Sequence, residues 1–115
     1  MILTPFEKGL VAHLVADWIL QNDWMALNKT SLRHPASWTH AGIHALCLGI
    51  VLGWQAGLVL GFLHLLIDTR VPVDWWMRVF KKCGKAPEAV TIAIWLDQTF
   101  HIVCIALWLA LVPKP

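Results

Sequence analysis

His13 and Asp17, His40 and His44, His64 and Asp68, and Asp97 and His101 are four pairs of metal-binding side-chain types, each spaced i,i+4. On an α-helix that spacing puts both members on one face, one turn apart. Imidazole and carboxylate together suit divalent first-row ions, with zinc the first expectation and manganese or iron alternatives. A bound ion of this kind lowers the pKa of its water and makes hydroxide available at neutral pH. All eight residues are therefore candidate ligands, with Asp17, Asp68 and Asp97 as candidate catalytic carboxylates. Two ions roughly 3.5–4 Å apart, bridged by carboxylates, are expected.

The elements that carry these pairs are strongly apolar. The 115-residue chain is 58% hydrophobic and 14% charged, with a mean hydropathy of +0.64, whereas soluble domains run at about 45–50% and 25%. Eight tryptophans and no tyrosine fit a chain with membrane interfaces. The length suits a single transmembrane helical domain, residues 1–115. A net charge of +2 gives no case for nucleic acid. The three cysteines, Cys47, Cys83 and Cys104, form no disulfide or CxxC framework.

The pattern predicts an all-α polytopic membrane protein, a four-helix bundle with a short interfacial helix between helices 3 and 4. Thr4-Pro5-Phe6-Glu7 reads as a helix start that is retained rather than cleaved. Helix 1 then runs from Pro5 to between Gln21 and Asn28, with His13, Asp17, Gln21 and Asn28 in one stripe. Helix 2 starts at Ser37, a good N-cap residue, and runs to about Leu52. Residues 53–57 (Gly-Trp-Gln-Ala-Gly) form the turn of a hairpin, and helix 3 spans about Leu58 to Asp68. One unbroken helix from Ser37 to Asp68 would instead hold His40 and Asp68 roughly 42 Å apart. Pro72 to Lys82 is the interfacial helix, with Gly84 as its cap, and helix 4 runs from near Pro87 to about Leu111.

Lys29, Arg33, Arg70, Arg78, Lys81, Lys82 and Lys85 fall in the first and third loops, against Lys8 and Lys114 on the other side. The positive-inside rule places those loops in the cytoplasm and both termini outside. The helix directions then put Asp17, His40, Asp68 and Asp97 in a cytoplasmic layer over His13, His44, His64 and His101. His44 and His101 are the deepest, so one or both could orient the ligands rather than bind an ion directly. Gln21, Asn28, Lys29, Arg70 and Gln98 are candidate substrate-binding residues on the cytoplasmic side.

An ionised aspartate at membrane depth costs roughly 2.5–3.5 kcal/mol, so three cost about 8–10 kcal/mol together. Interhelical hydrogen bonds return only ~0.6–2 kcal/mol each. Metal binding can supply on the order of 10 kcal/mol. The balance favours an ion over polar glue.

The stretch His13-Leu-Val-Ala-Asp17-Trp-Ile-Leu-Gln21-Asn-Asp23-Trp24-Met-Ala-Leu-Asn28-Lys29 resembles the opening motif of small bacterial and phage integral membrane proteins grouped as a domain of unknown function. His40-Ala-Gly-Ile-His44, His64-Leu-Leu-Ile-Asp68 and Asp97-Gln98-Thr-Phe-His101 resemble its later motifs in the same order. The chain is also loosely similar to inner-membrane proteins assigned as metal-dependent hydrolases, and only that likeness implies hydrolysis. The expectation is a membrane-embedded metal-dependent hydrolase acting at the cytoplasmic face on a lipid or phosphoester. Its alternatives are a metal- or haem-binding or ion-translocating protein, or a structural subunit of a membrane complex.

Overall fold

Residues 2–112 are described by a computed structural model, all-α with no strand among them. Lys114, counted above with the less basic side, lies outside the described residues. Thr4 caps α1 (Pro5–Leu14): its Oγ1 accepts the Glu7 N–H at 3.2 Å, and Pro5 fills the first turn, where no N–H is needed.

Helix α1 does not reach Gln21 as a regular helix. It widens into a π turn, Val15–Ile19, in which the Leu20 N–H reaches the Val15 carbonyl at 2.9 Å. The Asn22 side chain then accepts the Met25 N–H at 3.0 Å and starts a separate α2 (Asp23–Asn28). Asn competes with the helix for its own backbone, which is why the stripe expected to continue through Asn28 is broken.

Helix α3 (Pro35–Leu52) starts two residues before Ser37. His34 is its cap: Nδ1 accepts the Ala36 N–H at 3.0 Å. Ser37 is buried and its hydroxyl donates to the Asn28 and Ser31 carbonyls, tying the preceding loop to the helix.

The expected hairpin is present and tighter than five residues. Gly53 alone separates α3 from α4 (Trp54–Asp68), at φ +100°, a conformation that only glycine adopts without strain. The helices then touch along their backbones. A Cβ on Gly57 would collide with the Ala45 carbonyl oxygen and lie 2.8 Å from the Gly49 Cα. Small residues at such a crossing allow close van der Waals packing.

Arg70, at φ 70°, ends α4 and starts α5 (Val71–Trp76). A second π turn, Met77–Lys81, extends α5 and closes at Lys82, φ 52°. The cap is therefore Lys82 and not Gly84: the Cys83 N–H bonds back to the Met77 carbonyl at 3.1 Å. Helix α6 (Ala89–Leu111) completes the chain. The 30–33 loop and residues 69–72 wall one cleft, so the two basic loops share one end of the molecule.

Helices α1, α3, α4 and α6 pack around a polar layer. Along α4 the buried order is Leu60, His64, Ile67, and along α6 it is Ala93, Asp97, His101, Ile105. Apolar clusters thus lie on both sides of the layer, one containing Leu48, Leu60 and Ile105, the other Ile67, Val73, Met77 and Ala93.

Four complete spans are not what the helix lengths provide. Among the described residues only α6, with 23 residues, is by itself long and apolar enough to cross a membrane. Helix α4 and the α5 segment would pass together, bent by 56° at the Arg70 turn. Helix α4 alone has 15 residues, α1 with its π turn stops at Ile19, and α3 carries two buried histidines.

Candidate metal centre

All eight paired residues are buried within the polar layer, each no more than 5% exposed. Their arrangement is not four equal pairs. Asp17, His40, His44 and His64 form one group of converging ligand atoms, and His64, Asp68 and His101 form a second, each group spanning less than 4.8 Å. His64 is common to both.

In the first group, Asp17 Oδ1 lies 3.2 Å from His40 Nε2, 3.4 Å from His44 Nε2 and 3.9 Å from His64 Nε2. His40 and His64 bring their Nε2 atoms within 3.0 Å of each other. In the second, Asp68 Oδ2 is 2.8 Å from His64 Nε2, and Asp68 Oδ1 is 3.2 Å from His101 Nε2. His40 Nε2 also approaches Asp68 Oδ2 at 3.3 Å, joining the groups.

Hydrogen bonding accounts for this convergence only in part. An ionised carboxylate only accepts, and each neutral imidazole carries one proton for two nitrogens. His40 Nε2 nevertheless faces His64 Nε2, Asp17 Oδ1 and Asp68 Oδ2 together. The Nδ1 atoms of His40, His44 and His64 are buried without partners, so the Nε2 atoms alone face the other polar groups of the layer. Lone pairs aimed at a common point are the donor set of a cation. Four ligands about 2.1 Å from a tetrahedral ion stand about 3.4 Å from one another, close to the spacings observed. The donors therefore fit a metal ion.

His13 does not join either group, although it shares a helix face with Asp17. Gln98 accounts for this. Its Nε2 donates to Asp17 Oδ2 at 2.6 Å, which turns its Oε1 toward His13 at 2.9 Å. That oxygen can only accept, so His13 Nε2 carries the proton and its lone pair is lost to ligation. The π turn through Asp17 reinforces the divergence by breaking the simple i,i+4 register. Asp97 also stands outside both groups. Its Oδ2 is 3.5 Å from both His101 Nε2 and Gln98 Nε2, and its buried Oδ1 has no partner among the described residues.

Each group draws on both expected layers, Asp17 and His40 with His44 and His64 in one and Asp68 with His64 and His101 in the other, while His13 and Asp97 flank them. The residue shared between groups is the His64 imidazole rather than a carboxylate.

Of the residues assigned to substrate, Gln98 bridges His13 and Asp17. Gln21 is half-buried and makes no hydrogen bond to the cluster, because the chain breaks between it and Asp17. Asn28 Nδ2 donates to the Trp24 carbonyl at 2.9 Å, and its own carbonyl accepts from Ser37. Lys29 caps the same short helix. Arg70 sits in the α4–α5 turn and lines a different cleft. Sequence spacing missed the structural parts played by Ser37 and His34, although each precedes or begins an apolar run as caps do. It also missed both π turns, for which the residues carry no signal.

No curated protein and no solved structure matches the chain. It is matched over residues 6–114 by one family profile, and the chain belongs to that family, described as protein of unknown function DUF3307.

Proposed function

We propose that the buried layer is a two-ion metal centre, zinc first and manganese or iron as alternatives, in a membrane-embedded hydrolase that acts at the cytoplasmic face. The observation that carries this reading is the convergence of His40, His44, His64 and His101 Nε2 on Asp17 and Asp68, with the His40 and His64 Nε2 atoms themselves only 3.0 Å apart. The surface supports the membrane setting. Polar groups are inside, while Trp18, Leu46, Ile50, Leu58, Trp95 and Leu107 are exposed. A chain that buries charge and exposes leucine is suited to apolar surroundings. In that setting α1, α3, α4 and α6 form a four-helix bundle of unequal spans, with short helices accommodated by local thinning.

Asp17, His40 and His44 would hold one ion and Asp68 with His101 the other, while His64, with one Nε2 lone pair, would complete the set of one of them. Bound metal supplies a Lewis acid and a nucleophile at neutral pH. Asp17 and Asp68 are used as ligands, which leaves Asp97, with its unpartnered buried oxygen, as the carboxylate that accepts a proton. A phosphoester or acyl ester of a lipid is the substrate class proposed. It would enter by the cleft of about 440 Å³ between α1 and α6, where Leu10, Leu14, Ile94 and Trp95 surround the Gln98 amide. The void beside His13, His64 and His101 is only about 10 Å³, so these helices must part for a substrate to reach the centre.

The facing His44 and His64 rings are 3.5 Å apart, and His64 and His101 are 3.9 Å apart. Stacked imidazoles leave no slot for a macrocycle, which favours ions over haem. Elemental analysis of detergent-purified protein is expected to find one or two metals per chain. Asp68→Ala is expected to lose metal together with turnover of bis(p-nitrophenyl) phosphate or p-nitrophenyl butyrate. A metal-free protein with the same melting temperature as protein refolded with zinc would defeat the proposal.

A further inference from the structure

On the other face of α6 from the α1 cleft is an open cavity of about 850 Å³, walled by the α4–α5 turn, the α5 segment and the start of α6. Four cations line it: Arg70, Arg78, Lys82 and Lys85, with Asp74 the one carboxylate. They fall within residues 70–85, where the α4–α5 turn, the π turn and the loop after it bring them to one cavity. None of the four is in an ion pair among the described residues.

The backbone also commits to this arrangement. Arg70 and Lys82 are the two non-glycine residues at positive φ among those described, and both line the cavity. Left-handed backbone at a residue with a side chain is strained, and such strain gathers where a ligand is clamped. Met77, Ala89 and Ala93 make an apolar floor beneath the charges. Val71, Trp75 and Phe80 are exposed along the adjoining helix. Guanidinium forks and ammonium groups over an apolar floor match a phosphate joined to an apolar body.

We infer that this cavity is a binding site for the phosphate headgroup of an anionic phospholipid, built by Arg70, Arg78, Lys82 and Lys85. The site does not depend on the metal reading, because none of its residues belongs to the ligand groups.

The test uses the full chain in an uncharged detergent, with and without zinc, titrated calorimetrically with dihexanoyl phosphatidic acid. Saturable one-to-one binding is expected, equal in both metal states. Arg78→Gln is expected to weaken it tenfold or more. Lys81→Gln removes the same charge from the next turn outside the cavity and is expected to change affinity less than twofold. Lys85→Gln, in a loop, provides a second weakening variant should Arg78→Gln fail to fold. Dihexanoyl phosphatidylcholine and inorganic phosphate are each expected to bind at least tenfold more weakly. Equal losses in Arg78→Gln and Lys81→Gln would overturn the site in favour of diffuse attraction. Inorganic phosphate as tight as the lipid would overturn the headgroup assignment. Binding that vanishes on zinc removal would place the anion at the metal centre instead.

Discussion

At the Gly53 end of the α3–α4 hairpin the two backbones touch, Gly49 against Gly57, with Leu48, Leu60 and Ile105 around them. Toward the other end, the same two helices face each other through His40, His44 and His64, whose nitrogens meet at separations no apolar core would hold. The first region is satisfied by its own packing. The second gathers buried imidazoles and carboxylates that could hold a metal ion. A single helical pair thus contains an apolar, close-packed part and a polar part, and it is the polar part that offers ligand chemistry.

The sharpest way to break the comparison is His64→Ala, because His64 belongs to both ligand groups. Complete loss of metal on dialysis is expected, measured by elemental analysis, whereas Asp97→Asn should retain its metal. Loss of one ion only would show that the groups are independent. Next in size, Gly57→Ala should cost about 1–3 kcal/mol of stability through overpacking, read from thermal or denaturant unfolding. Its metal content should stay unchanged if the two regions are as separate as their packing implies. Smallest is Gln98→Leu, which frees His13 and leaves Asp17 Oδ2 without its amide donor. Loss of a group that orients a ligand typically lowers metal affinity about 10-fold, measured by chelator competition.

Metal content should also fall as pH drops, since protons compete for the same imidazole nitrogens. A titration of bound zinc against pH on the full chain would show it, with release on the acid side and none on the alkaline side of neutrality.

The two regions also differ in how far they could be read from residues. The i,i+4 pairs identified every buried polar member of the layer from His13 to His101, because helical periodicity fixes which side chains share a face. Their division into ligands and flanking groups was not legible. It depends on Gln98 reaching across from α6 to α1, a contact separated by 85 residues in sequence for His13. The hairpin was legible from its glycines, although its one-residue joint was not, because several glycines offered turns and only packing chooses Gly53. Helix ends failed where side chains competed for the backbone, as at Asn22 and His34, or where Arg70 and Lys82 took a conformation usually left to glycine.

The Gly53 joint has a consequence for the order of assembly. His40 and His64 are 24 residues apart, and nearly all the chain between them is helix. Contacts of short sequence separation form early because little loop entropy opposes them. His40, His44, His64 and Asp68 therefore come together on one nascent element, before the flanking helices dock. Asp17 and His101 arrive from either side to finish an enclosure whose first half was already in place.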